Sequence, residues 1–311
     1  MSERLFSQEE LDALCRSPKE KMAAVLATED KEAAKQKYAE LEDAFFAFHD
    51  IYHHWVALGQ EFIYQEYGHD GLAKAVPISA ILVEALKLDM SVGEVLNCSK
   101  SAKERMKTLI DTCDTTEVLK YYDYMEKGFR DIHDLYREWT SLLLSHVYRE
   151  YGIDALEKCL RYSSDQRWMP WMLDDITHSA KQRLQDWVTL LLGNFATLRI
   201  EEDDEKFTLF QDPCGSCGRQ ILQGCHKPPF DLAMVKEKHP ISFMEGEVTV
   251  YQAHIAVMHT IMPIERIGAP WPAISCPKGA TGGPCQIFMY KDPRTAAPEH
   301  YAMVGMQQPN S

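Results

Sequence analysis

A stretch of 26 residues occurs twice in this chain. His49-Asp50-Ile51-Tyr52-His53-His54-Trp55 returns, at an offset of 84, as His133-Asp134-Leu135-Tyr136-Arg137-Glu138-Trp139. The correspondence runs without a gap from 49–74 to 133–158, with twelve identities that include Leu58/Leu142, Tyr67-Gly68/Tyr151-Gly152 and Lys74/Lys158. Self-similarity of this kind marks a duplicated structural unit. Each copy reads as a long helix stopped at Gly68 or Gly152, where glycine can take a left-handed cap. A second helix starts near Asp70 or Asp154. Two such units are expected to pack about a pseudo-two-fold axis, with Trp55 and Trp139 as core anchors.

Residues 1–200 carry helical periodicity with little Gly or Pro, and Ser7 followed by Glu10 has the form of a capping box. Beyond the acidic run Glu201-Glu202-Asp203-Asp204-Glu205, which reads as a solvated turn, the texture changes. Over 206–311 Pro, Gly and Cys become frequent, and β-type runs occur at Val248–Tyr251 and Gln286–Tyr290. The expected fold is α+β: a duplicated all-helical domain over 1–200 and a smaller Cys/His-rich α+β module over 206–311. A chain of 311 residues suits two domains. A net charge of −14 disfavours nucleic-acid partners, and no apolar run reaches the length of a membrane span. With no signal-peptide core at the N-terminus, a cytoplasmic location is expected.

Nine cysteines in such a compartment point to thiols or metal ligands rather than disulfides. Cys15, Cys98, Cys113 and Cys159 are scattered through helical sequence. Cys214, Cys217, Cys225, Cys276 and Cys285 cluster. Cys214-Gly-Ser-Cys217-Gly has the turn that lets two sulfurs face one ion, with glycines leaving backbone N–H groups free to approach them. Cys225, His226 and Cys285 are candidates to complete a zinc site, with iron as the other metal considered. A redox dithiol and unliganded thiols are the competing readings. His254 is a candidate base or partner of a Cys214 nucleophile. The His254/His259 spacing does not put both rings on one ideal helix face. Arg219 is placed either to clamp a substrate carboxylate or to pair with Asp212. His49, His53, His133 and His178, with Asp50 and Asp175, have a spacing reminiscent of di-iron bundles, although the His53 position becomes Arg137 in the second copy. Trp168-Met-Pro-Trp171-Met fits a ligand pocket or an interdomain plug equally.

The Tyr-Gly helix ends followed by Asp-x-Leu, and the closing Cys285-Gln286-Ile287-Phe288, resemble bacterial proteins grouped with L-2-amino-thiazoline-4-carboxylic acid hydrolase. That resemblance implies a helical part, a cysteine-bearing C-terminal part and hydrolysis of a carbon–nitrogen bond. It makes Cys214 and Cys285 the counterparts of family cysteines. The family pattern also expects a cysteine after the tyrosine of the middle strand, where this chain has Gln252 after Tyr251.

Three readings follow. The first is a metal-assisted or cysteine-dependent hydrolase acting on a small polar, heterocyclic substrate through Cys214, His254 and Arg219. The second is a non-catalytic ligand-binding or assembly protein with a structural zinc module. The third is a helical di-iron enzyme. The expected partners are a small-molecule substrate and a second copy of the chain, with neither nucleic acid nor membrane.

Overall fold

The computed structural model describes residues 4–86, 92–112, 114–277 and 284–309, with the backbone alone over 83–86 and 92–101. Cys113 and the side chain of Cys98 therefore lie outside the described residues. The chain is mostly helical, with a small sheet in its C-terminal part.

Two short helices, α1 (Gln8–Cys15) and α2 (Pro18–Leu26), begin with capping boxes at Ser7/Glu10 and Ser17/Glu20. In each, serine and glutamate satisfy N–H groups that a helix start leaves without partners. The helical body is built on α3 (Lys31–Ala75) and α6 (Thr115–Tyr151), with α4 (Pro77–Leu86), α5 (Val92–Thr112), α7 (Ile153–Ser163), α8 (Met169–Asp175) and α9 (Ala180–Gly193) around them. Both long helices break at a glycine of positive φ, Gly68 at 65° and Gly152 at 86°. That left-handed region favours glycine. The two helices make reciprocal contacts. The His49 ring meets Tyr136 at 4.6 Å and the His133 ring meets Tyr52 at 5.4 Å. Tyr67 stacks on Tyr151 with centroids 3.5 Å apart.

After α9 the chain enters an antiparallel sheet ordered β1 (Leu198–Glu202), β2 (Lys206–Gln211), β6 (Cys285–Tyr290), β5 (Ala273–Ser275). The acidic run forms the hairpin turn between β1 and β2. Glu202 is buried rather than solvated: it accepts the Leu5 and Phe6 N–H groups at 2.7 and 3.1 Å and pairs with Lys291 at 2.8 Å. A minimal second sheet, β3 (Met234–Val235) with β4 (Val248–Thr249), and the helices α10 (Cys217–Leu222), α11 (Met262–Ile267) and α12 (Glu299–Ala302) complete the module. Register decides what meets at the sheet's end. Gln211 lies opposite Cys285, and Ser275 opposite Gln286. The exit of β2, the exit of β5 and the entry of β6 therefore lie side by side.

Candidate metal centre and cavity

That shared strand end gathers the thiols. Cys214 and Cys217 follow β2, Cys276 follows β5, and Cys285 opens β6. Cys214, Cys217 and Cys285 are all buried, and their sulfurs lie within 4.8 Å of one another. The Cys214 and Cys217 sulfurs are 3.5 Å apart, and Cys276 Sγ, half-buried, is 3.2 Å from Cys285 Sγ. Four thiolates around a zinc ion at 2.3 Å have sulfur–sulfur edges of about 3.8 Å. The donor set thus has the chemistry and roughly the size for one thiophilic ion. Two close approaches fix the turn. The Gly218 N–H donates to Cys214 Sγ at 2.9 Å. A Cβ on Gly215 would lie 1.4 Å from the Asn194 carbonyl oxygen, so only glycine fits there. Contact with Cys217 and burial hold the Cys214 thiol up at about 12, so an ion must displace protons to bind.

Cys225 and His226 do not join this group. Cys225 Sγ lies 3.5 Å from Glu138 Oε1, on the far side of α10, and His226 Nδ1 donates to the Leu232 carbonyl at 3.1 Å. Nearness in sequence placed them with the thiols, but α10 turns the chain away. The thiol beside Cys285 is Cys276, and sequence spacing alone did not distinguish it. Gln252 is buried and has a structural role. Its Oε1 accepts the Thr249 N–H at 2.9 Å and its Nε2 donates to the Pro277 carbonyl at 3.3 Å, beside Cys276.

Arg219 lies behind the turn. It pairs with Asp134 at 2.7 Å rather than with Asp212, and it is not among the residues lining the cavity described below. It belongs to a buried network that fastens α10 to α6. His133 contacts Asp134 at 2.9 Å and Asn194 at 2.7 Å. Arg137 pairs with Glu138 and Asp134 and donates to the Gly215 carbonyl at 3.2 Å. Gln220 bonds Glu138 and Ser141. Burial pushes the Asp134 carboxyl up, but the His133 hydrogen bond and the Arg137 and Arg219 charges outweigh it and hold it well below the usual range.

The four thiols face a cavity of about 120 Å³. Its walls come from both halves of the chain: Phe48, Tyr52, Trp55 and Leu58 of α3, Trp187, Leu190 and Leu191 of α9 with Asn194 just after it, and Ile274 and Ile287 of the sheet. The Tyr52 and Tyr251 hydroxyls share a hydrogen bond of 2.7 Å, and Tyr52 also reaches Ser216 in the thiol turn at 3.2 Å. Trp168 lines the cavity, while Trp171 packs behind it against Trp187 and Trp271. The aromatic segment is therefore partly pocket and partly core.

His254 and His259 also line the cavity, and their placement corrects the spacing argument. Residues Ile255–Ile261 form a π-helical turn. Such a turn closes on i→i+5 hydrogen bonds, so side chains five apart become neighbours. The two rings lie 5.7 Å apart. Each Nδ1 faces a backbone carbonyl, Tyr251 for His254 and Trp271 at 3.2 Å for His259. A carbonyl only accepts, so each Nδ1 carries the hydrogen and each Nε2 the lone pair. Burial lowers His254 to about 4 and His259 to about 3, keeping both rings neutral at neutral pH.

The helical histidines are dispersed. His133 is occupied by Asp134 and Asn194. His53 lies with Asp50 and His54, and His178 lies in a separate group with Asp175 and Asp186. His49 stacks on Phe45 with no hydrogen-bond partner at Nδ1. Among the described residues these four do not converge on one position, as a di-iron site would require.

No family model, curated protein or solved structure matches this chain.

Proposed function

We propose that the chain is a metal-dependent enzyme acting on a small, flat, largely apolar molecule. A zinc or iron ion would be held by Cys214, Cys217 and Cys285, with Cys276 alongside. The observation that carries this reading is that one cavity is bounded both by the thiols and by two neutral histidines with free Nε2 atoms. Bound there, the ion would supply a polarising charge. The chain's own residues would hold a flat substrate between aromatic rings and accept a proton at His254 or His259 Nε2. Hydrolysis of a carbon–nitrogen bond is the reaction implied by the resemblance to the thiazoline-carboxylate hydrolases. The lining is more apolar than the small polar substrate expected from sequence. Arg219, behind the thiol turn, positions α10 in this reading.

The closeness of Cys276 to Cys285 favours a second reading, a binding protein with a closed structural metal centre, because a site with four thiolates has no open position. We also infer that the helical half is a duplication, supported by the reciprocal His49/Tyr136 and His133/Tyr52 contacts.

Elemental analysis of protein purified without chelator tests the centre. Near-stoichiometric zinc or iron is expected, lost in Cys285→Ser and retained in Cys225→Ser. Metal retained in Cys285→Ser would refute the ligand set. A panel of small cyclic amidines and lactams, followed by mass spectrometry for the gain of one water, separates the two readings. Ring opening that disappears in His254→Ala with metal content unchanged supports the enzyme. No turnover, together with a melting temperature that falls on chelation, supports the binding protein.

A further inference from the structure

Among the described residues, the only Lys, Arg, Asp or Glu side chain lining the cavity is Arg167, which is exposed and already paired with Asp50 at 2.6 Å. None of the described lining residues is a carboxylate. Its permanent charge would come from the metal centre: a divalent ion with three or four thiolates keeps a net charge of one or two minus. A negative centre in low-dielectric surroundings attracts a compensating cation strongly. The thiol turn supplies little compensation, with one described N–H donor, Gly218, on Cys214 Sγ. Arg137 and Arg219, the described cations of the network behind the turn, are engaged by Asp134 and Glu138.

The remaining walls favour the same kind of occupant. Trp55, Trp168, Trp187, Tyr52 and Tyr251 present aromatic rings, whose faces attract cations. His254 and His259 offer lone pairs, so they favour a ligand that donates hydrogen bonds. Benzene-sized molecules fill protein cavities of about 150 Å³, close to the volume here.

We propose that the cavity selects a single-ring aromatic or heteroaromatic cation bearing N–H donors, seated between the metal–thiolate centre and the His254/His259 pair. This rests on the metal centre proposed above. A flat anion is excluded by charge, and a neutral ring of the same shape forgoes the electrostatic attraction.

The test uses the full-length, metal-loaded protein and three single-ring probes at pH 7.5: 4-aminopyridine, which is a cation at that pH, the neutral aniline, and the anion benzoate. Binding is followed by calorimetry and by quenching of tryptophan fluorescence. The expected result is 4-aminopyridinium binding at least about tenfold more tightly than aniline, with benzoate weaker than both. Met258→Trp, which fills the cavity, should abolish binding while leaving metal content unchanged. His259→Phe should lower the affinity for 4-aminopyridinium more than that for aniline. Equal affinity for the cation and aniline in protein shown to contain metal would overturn the inference and leave the metal centre standing. Protein without metal would instead overturn the centre.

Discussion

The segments His49–Trp55 of α3 and His133–Trp139 of α6 share four residues of seven, yet they occupy opposite kinds of environment. On α6, His133, Asp134, Arg137 and Glu138 form one network with the thiol turn and α10. On α3, His53 and His54 are exposed, Asp50 reaches out to Arg167, and the His49 Nδ1 has no partner. The buried face of α3 contributes Phe48, Tyr52 and Trp55 to the cavity. One segment fastens the thiol turn from behind and the other forms the apolar wall of the cavity. Residue type alone does not assign a role here. The role comes from what packs against the helix: α10 on one side, empty space on the other.

The sharpest way to break this contrast is to remove the cation that answers each aspartate. Arg137 is fully buried, so Arg137→Ala leaves the buried Glu138 without its cation, while Asp134 keeps Arg219, and should cost about 3–5 kcal/mol. Arg167→Ala, at an exposed pair, should cost less than about 1 kcal/mol. Denaturant titration measures both. Similar losses would show that the two segments are equally structural.

The histidines should separate by less. His133→Ala strips partners from Asn194 and Asp134 and should cost about 1–3 kcal/mol. His49→Phe keeps the ring packed on Phe45 and removes a nitrogen that has no partner, so the same titration should find it neutral or mildly stabilising.

The smallest difference is in pH dependence. Burial lowers His49 to about 4 from 6.5. A histidine held below its unfolded value contributes stability that is complete above about 6.5 and is lost as pH falls toward 4. Asp134, held low, keeps its contribution across that window and loses it only at stronger acid. Melting temperature should therefore decline between pH 6.5 and 4, and His49→Phe should flatten the decline. His254 and His259 add to it with the same sign. An unchanged slope in His49→Phe would contradict the assignment.

Some of this was legible in the sequence and some was not. The Ser7/Glu10 cap, the glycine breaks at 68 and 152, and the candidacy of Cys214 and Cys217 follow from local chemistry that the residues carry with them, whereas the family resemblance singles out Cys285. The place of Cys276 does not, because it depends on how β5 pairs with β6, a register between segments with no shared local signal. Cys225 and His226 looked eligible for the same reason, since proximity along the chain hides the turn of α10. The His254/His259 pairing was hidden by an assumed α-helical period, and a π-turn changes the arithmetic. Arg219 was legible as a salt-bridge former, but its partner, Asp134, lies 85 residues away.

The strand-end arrangement of the thiols has a consequence for how the chain is made. The order of synthesis delivers both long helices before any of the clustered thiols, and Cys285 arrives last, with its strand pairing between β2 and β5. Until residues 215 to 225 follow, Arg137 and Glu138 lack the groups that bury them. The nascent helical half therefore carries an unsheltered ion pair, which water can solvate, where the finished protein has its most enclosed network. Under the metal-centre reading proposed above, a shortage of metal would leave chains with their helices formed and their thiols unclaimed.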